Sequence, residues 1–188
     1  MLVLGLASSC ARRPSTQRRA RPGRQLSFEQ FAGGWDLAWV SHTVEGRYET
    51  GKAQLLFSWE ESRFLTGRGM ESVVLGRGDL LVMWFPDGDA PVAEYGTTRC
   101  FRDPAGGVGR VYWLSCARGR IYSLTEHRFG GEVVMNGSDL HGRPIRWVFS
   151  DVAPDSFHWR SVAAADHGTE WRILEEFDAY RVPGAASA

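Results

Sequence analysis

Lysine is almost absent from this chain: Lys52 stands alone among 22 basic residues, and the other 21 are arginine. That bias marks a GC-rich, bacterial genome rather than a chemistry. Cysteine is scarce too. Cys10, Cys100 and Cys116 make an odd set with no tight spacing, which excludes a disulfide framework and a thiolate zinc site. Cys100 and Cys116 fall on expected strands and read as buried free thiols. The five histidines are scattered, with no helix-spaced pair and no His-x-His on one strand, so no metal site is expected. A single axial haem ligand, His127 or His158, stays open as a minor alternative. There is no Gly-x-Ser-x-Gly and no cysteine set beside a histidine, so nucleophilic catalysis finds no motif. Gly67-Arg68-Gly69 and Gly76-Arg77-Gly78 precede no helix, so neither is a phosphate loop. No cofactor is called for.

Long hydrophobic runs are also missing. Residues 1–9, MLVLGLASS, are too short to span a bilayer. Their positive charges follow the apolar stretch instead of preceding it, the reverse of a secretory signal. Ala7-Ser8-Ser9-Cys10 lacks the leucine of a lipoprotein box. Pro14 and Pro22 spoil the amphipathic helix of a transit peptide. A cytoplasmic protein with no membrane partner is the expectation.

Net charge is zero, but it is unevenly spread. Residues 1–28 hold six arginines and no acid, leaving 16 basic and 22 acidic residues beyond them, a net of −6. An acidic folded part argues against nucleic acid as a partner. The chain is rich in aromatics: 12% of residues, with eight tryptophans, and 43% of all residues are hydrophobic. That is enough to build a core and to line a pocket.

After a short helical turn at Ser27–Phe31, capped by Ser27, strand signals repeat without a long helix. They run Trp35–Thr43, Ala53–Glu60, Phe64–Leu75, Leu80–Phe85, Val92–Phe101, Val108–Cys116, Ile121–Phe129, Glu132–Asn136, Ile145–Ser150, Phe157–Ala163 and Glu170–Tyr180. Turn residues separate them at Glu45-Gly46, Pro86–Asp89, Asp103–Gly107, Gly130-Gly131 and Asp166–Gly168. Ten or eleven short strands joined by hairpins define an all-β fold, simplest as an antiparallel up-and-down barrel, which has no exposed edge. The expected organisation is a disordered arginine-rich tail at 1–26, a barrel at 27–182 and a loose end at 183–188.

Phe31-Ala32-Gly33-Gly34-Trp35, Glu94–Arg99, Arg146–Asp151, Pro154–Trp159, Asp166-x-Gly168 and Trp171-Arg172 together resemble bacterial lipocalin-like (calycin) domains over about residues 28–182. The resemblance implies a barrel that binds a small molecule, with Trp35 plugging its base. Gly34 directly before Trp35 departs from the usual glycine-x-tryptophan start. No catalytic residue carries over.

Alternation selects the candidate ligand-binding residues. Trp59, Trp113 and Trp147 fall mid-strand on faces expected to point inward. Arg68 shares a face with Phe64, Thr66 and Met70; Arg99 with Tyr95, Thr97 and Phe101; Glu175 with Trp171, Ile173 and Phe177. A buried charge needs a partner. An Arg99–Glu175 pair inside the barrel would be a bridge that closes the base or an anchor for a ligand. The expected function is therefore to hold a small apolar or aromatic ligand in an aromatic-lined cavity. The alternative is a cyclase or isomerase with Glu175 as general acid or base and Arg99 or Tyr95 as the oxyanion or carbonyl partner. A protein-interaction barrel with a filled core is a third possibility.

Overall fold

The computed structural model describes residues 28–184 except 43–45, 47, 67–68, 85–93, 103–108, 118 and 166–169. The expected tail, the Ser27 cap, Arg68 and the turns at Pro86–Asp89, Asp103–Gly107 and Asp166–Gly168 lie outside the described residues. A 3₁₀ turn at Phe28–Phe31 leads into ten strands. These are β1 Gly33–His42, β2 Tyr48–Thr66, β3 Gly69–Trp84, β4 Glu94–Arg102 and β5 Gly109–Ser115, then β6 Arg120–Phe129, β7 Glu132–Ser138, β8 Pro144–Ser150, β9 Ser156–Ala164 and β10 Trp171–Arg181. Each strand pairs antiparallel with the next, and β10 returns to β1 from Trp35↔Arg181 to Ser41↔Glu175, so the sheet closes into a barrel.

Period-two patterning explains the wall. Trp35, Leu37 and Trp39 on β1 are buried while Asp36 and Ala38 are exposed; on β9 Phe157, Trp159, Ser161 and Ala163 are buried, with half-buried residues between them. The up-and-down order puts the β5–β6, β7–β8 and β9–β10 turns at one end, and the β6–β7 and β8–β9 turns with the 3₁₀ turn at the other, the base.

Trp35 plugs that base. It is 1% exposed, its Nε1 donates to the Phe31 carbonyl at 2.7 Å, and its ring meets Phe157 edge-on at 4.7 Å. Phe31 is itself fully buried against Phe149 and Phe157. Arg181 covers the outer side of the plug. Its guanidinium lies 4.1 Å from the Trp35 ring centroid and donates to the carbonyls of Pro154, Ala32 and Gln30 at 2.7, 2.7 and 2.9 Å.

The middle of the chain departs from expectation. Three short strands were expected between residues 53 and 85, but residues 48–84 form two long ones, and Gly76 and Gly78 lie within β3 rather than between strands. Gly78 is an inward position emptied for a neighbouring ring: a Cβ there would sit 2.5 Å from Cε1 of Phe57. Past the base, β2 and β3 continue together. The β1 partners of β2 end at Phe57 and the β4 partners of β3 end at Val74, whereas β2 and β3 pair on to Thr66↔Gly69. They form a two-stranded ribbon beyond the barrel wall.

Candidate functional site

The inward rows of the barrel do not fill it. A cavity of about 410 Å³ lies between the plugged base and the opposite end, within the size range of small-molecule pockets. Its deep wall is aromatic because bulky residues occupy the same level on adjacent strands. Register sets Trp39 opposite Phe177, Phe177 opposite Trp159 and Trp159 opposite Phe149. Phe177 stacks on Trp39 at 5.0 Å and 30°, and on Trp159 at 4.8 Å and 17°. Trp147 stands edge-on to Trp159 at 5.5 Å, and Trp113 edge-on to Trp147 at 6.2 Å. The result is an arc of π-faces with few polar atoms.

One step nearer the mouth, Glu175 pairs with Ser161 and Ser161 with Trp147, and all three line the cavity. Ser115, Thr98 and Tyr122 add hydroxyls on the opposite side. Arg120, Asp139, His141 and Arg143 stand at the mouth, from the starts of β6 and of the β7–β8 turn. Asp139 holds that turn. Its carboxylate accepts from the backbone N–H groups of His141 and Arg143, each at 2.9 Å, and from Nε of Arg143 at 3.0 Å. Burial pushes the Asp139 pKa up, but these donors outweigh it and hold the group below the ordinary carboxylate value.

The structure sorts the expected site residues into two groups. Trp113, Trp147 and Glu175 line the cavity, and Trp59 packs against the buried core from the inward row of β2. Tyr95 and Arg99 do not point inward: both are exposed on the outer face of β4, Tyr95 at 47%, together with Phe101. The inward row of β4 is Gly96, Thr98 and Cys100, small because the Trp113 ring occupies that space; a Cβ on Gly96 would stand 2.6 Å from it. Arg99 and Glu175 therefore form no pair across the interior, and the acid–oxyanion constellation expected of a cyclase or isomerase is reduced to Glu175. Among the described residues a part-buried ion pair lies elsewhere. Glu126 is 6% exposed on the buried row of β6 and takes Nε of Arg128 at 3.0 Å, with Gly109 leaving room opposite.

On β10 the expected row of Trp171, Ile173, Glu175 and Phe177 is broken. A bulge between Ile173 and Glu175 shifts the phase, so Trp171 and Ile173 are exposed while Glu175 and Phe177 face in. Trp171 instead packs outside, under the Arg146 guanidinium at 4.5 Å. The haem alternative loses both histidines: His127 is exposed beside Phe129, and His158 pairs with Asp178 at 2.9 Å outside the barrel. Cys100 is buried, but Cys116 is exposed in the β5–β6 turn. Trp39, Trp159 and Phe177 were not singled out as site residues; the signal that could have found them is the alternation Trp35-x-Leu37-x-Trp39, Phe157-x-Trp159 and Glu175-x-Phe177. Among the described residues no group of three or more His, Cys, Asp or Glu side chains suits a metal ion, and no helix is long and apolar enough to cross a membrane.

This is a lipocalin-like barrel, closed at one end and carrying a ligand-sized cavity. The comparisons agree on the fold and go no further. The S-type phycobiliprotein lyase CPES from Guillardia theta is structurally similar, with a TM-score of 0.52 over 84% of this chain and 91% of that chain, at 13% sequence identity. No protein-family model matches the chain, and no curated protein matches it.

Proposed function

We propose that this barrel binds one flat, apolar or aromatic small molecule in its cavity. The observation that carries the reading is the stacked Trp39–Phe177–Trp159 wall at the deep end of a cavity of about 410 Å³. Stacked rings give a planar ligand a face to lie on, and burying apolar surface supplies most of the affinity. The polar groups nearer the mouth, Glu175, Ser161 and Arg120, would orient it. Trp113 and Trp147 belong to this reading; Trp59, which does not line the cavity, and Tyr95 and Arg99, on the outer face, do not.

Two measurements test it. Native mass spectrometry of the protein from its own host, against a denatured sample, reports any co-purifying small molecule. Titration with anilinonaphthalene sulfonate should give saturable one-to-one binding with blue-shifted emission. Replacing Trp159 by Leu should weaken that binding about tenfold, which is about 1.4 kcal/mol, in a protein whose far-ultraviolet circular dichroism is unchanged. Arg99→Ala is the control and should leave it within about twofold. Equal binding by all three proteins would place the probe outside the cavity and overturn the reading.

A further inference from the structure

The fixed charges that line the cavity are Arg120, Asp139, Arg143 and Glu175. They do not cancel once partners are assigned. Asp139 takes Nε of Arg143 at 3.0 Å and two backbone N–H groups, so that carboxylate and that guanidinium answer each other. Glu175 has an interaction partner of its own. Arg120 makes no hydrogen bond or ion pair with any described residue, which leaves it the lining charge without a counter-charge among them. Its place in the wall is specific. Arg120 opens the inward row of β6, exposed at the mouth and opposite buried Ser115. Tyr122, the next residue of that row, is half-buried opposite Trp113. One side of the cavity therefore runs from a free cation, past a phenol, to the arc of rings.

We propose that the ligand is a planar aromatic acid, which enters rings first, lies on the stacked wall and leaves its carboxylate at the mouth on Arg120. This rests on the cavity being the binding site. Desolvation fixes the orientation. A carboxylate pressed against stacked rings loses its water with nothing in return, whereas at the mouth it keeps water on one side and gains a guanidinium on the other. A guanidinium presents its donors as a fork that matches the two oxygens of a carboxylate. The lining acids do not obstruct this. Asp139 is turned to its own donors, and Glu175 stands on β10, with β7, β8 and β9 between it and β6.

The test uses anthracene carboxylate and anthracene carboxamide, planar tricycles of nearly the same shape that differ in charge. Dissociation constants are measured by calorimetry for the wild-type protein, for Arg120→Gln and for Arg99→Gln, which removes the same charge from the outer face. The wild-type protein should prefer the acid. The ratio of the amide to the acid dissociation constant should fall about fivefold in Arg120→Gln, the effect of one part-exposed charged contact, and stay within about twofold in Arg99→Gln. In the wild-type protein the preference should also shrink as salt is raised, a readout that needs no variant to fold. A ratio that both variants lower equally would mean that the acid feels only the overall charge, and would overturn the proposal. If neither tricycle binds, the cavity reading itself fails and takes this one with it. If both bind with no preference that depends on Arg120, the cavity reading stands and the acid assignment falls.

Discussion

Replacing Arg181 by alanine should loosen the base of the barrel while sparing the cavity at its other end. The side chain makes four contacts at once: three hydrogen bonds to carbonyls and one face-on contact with Trp35. The Pro154 carbonyl is exposed, so water replaces that bond at little cost. The Ala32 and Gln30 carbonyls are part-buried, and losing each bond costs about 1 kcal/mol. The cation–π contact adds about 1 kcal/mol. The sum, about 3 kcal/mol, corresponds to a fall in Tm of about 6–12 °C for a domain of this size. Arg181→Lys keeps the charge but cannot fork to three carbonyls or lie flat on the indole, so it should recover no more than about 1 kcal/mol. Thermal unfolding followed by circular dichroism measures both variants, and probe binding at 20 °C should be retained in each. A fall of less than about 2 °C for the alanine variant, or a lysine variant as stable as the wild type, would refute this account of the plug.

Two further predictions concern the mouth and the wall. Because Asp139 titrates below the ordinary carboxylate value, its contribution to stability is present above pH of about 4 and is lost as pH falls through its folded pKa. Urea midpoints between pH 6 and pH 3 should show that loss, and Asp139→Asn should flatten this part of the profile and unsettle the β7–β8 turn. Gly96→Ala would set a methyl against Trp113 and against the Leu114 carbonyl, which belongs to backbone and cannot swing away. It should cost about 1–3 kcal/mol by overpacking and weaken probe binding by forcing the Trp113 ring into the cavity; unchanged binding would show that the ring has another place to go.

The barrel was legible because alternation and turn chemistry repeat ten times over, so errors at single strands do not alter the architecture. The site was legible where inward rows are also large, as at Trp113 and Trp147. It failed where volume exchange between strands reverses that rule. On β4 the large residues Tyr95, Arg99 and Phe101 are exposed, and the inward row is small because rings from neighbouring strands need the room. One strand read alone does not show what its neighbour will fill. The glycines of β3 misled for the same reason: they read as breaks, yet Gly78 is a seat for Phe57. The bulge on β10 has no marker in its sequence. It moves Trp171 and Ile173 outside, so Glu175 lines the cavity although half of the row used to argue its position does not.

The closed wall and the ribbon beyond the base use their backbones differently. Around the closed wall each strand spends its backbone donors and acceptors on two neighbours, so a protein that touches the wall must read side chains. Along residues 58–66 and 69–73 β2 and β3 pair with each other, and the described residues supply no third strand. A substitution in the ribbon is therefore felt by one neighbouring strand, whereas one in the wall is felt by two.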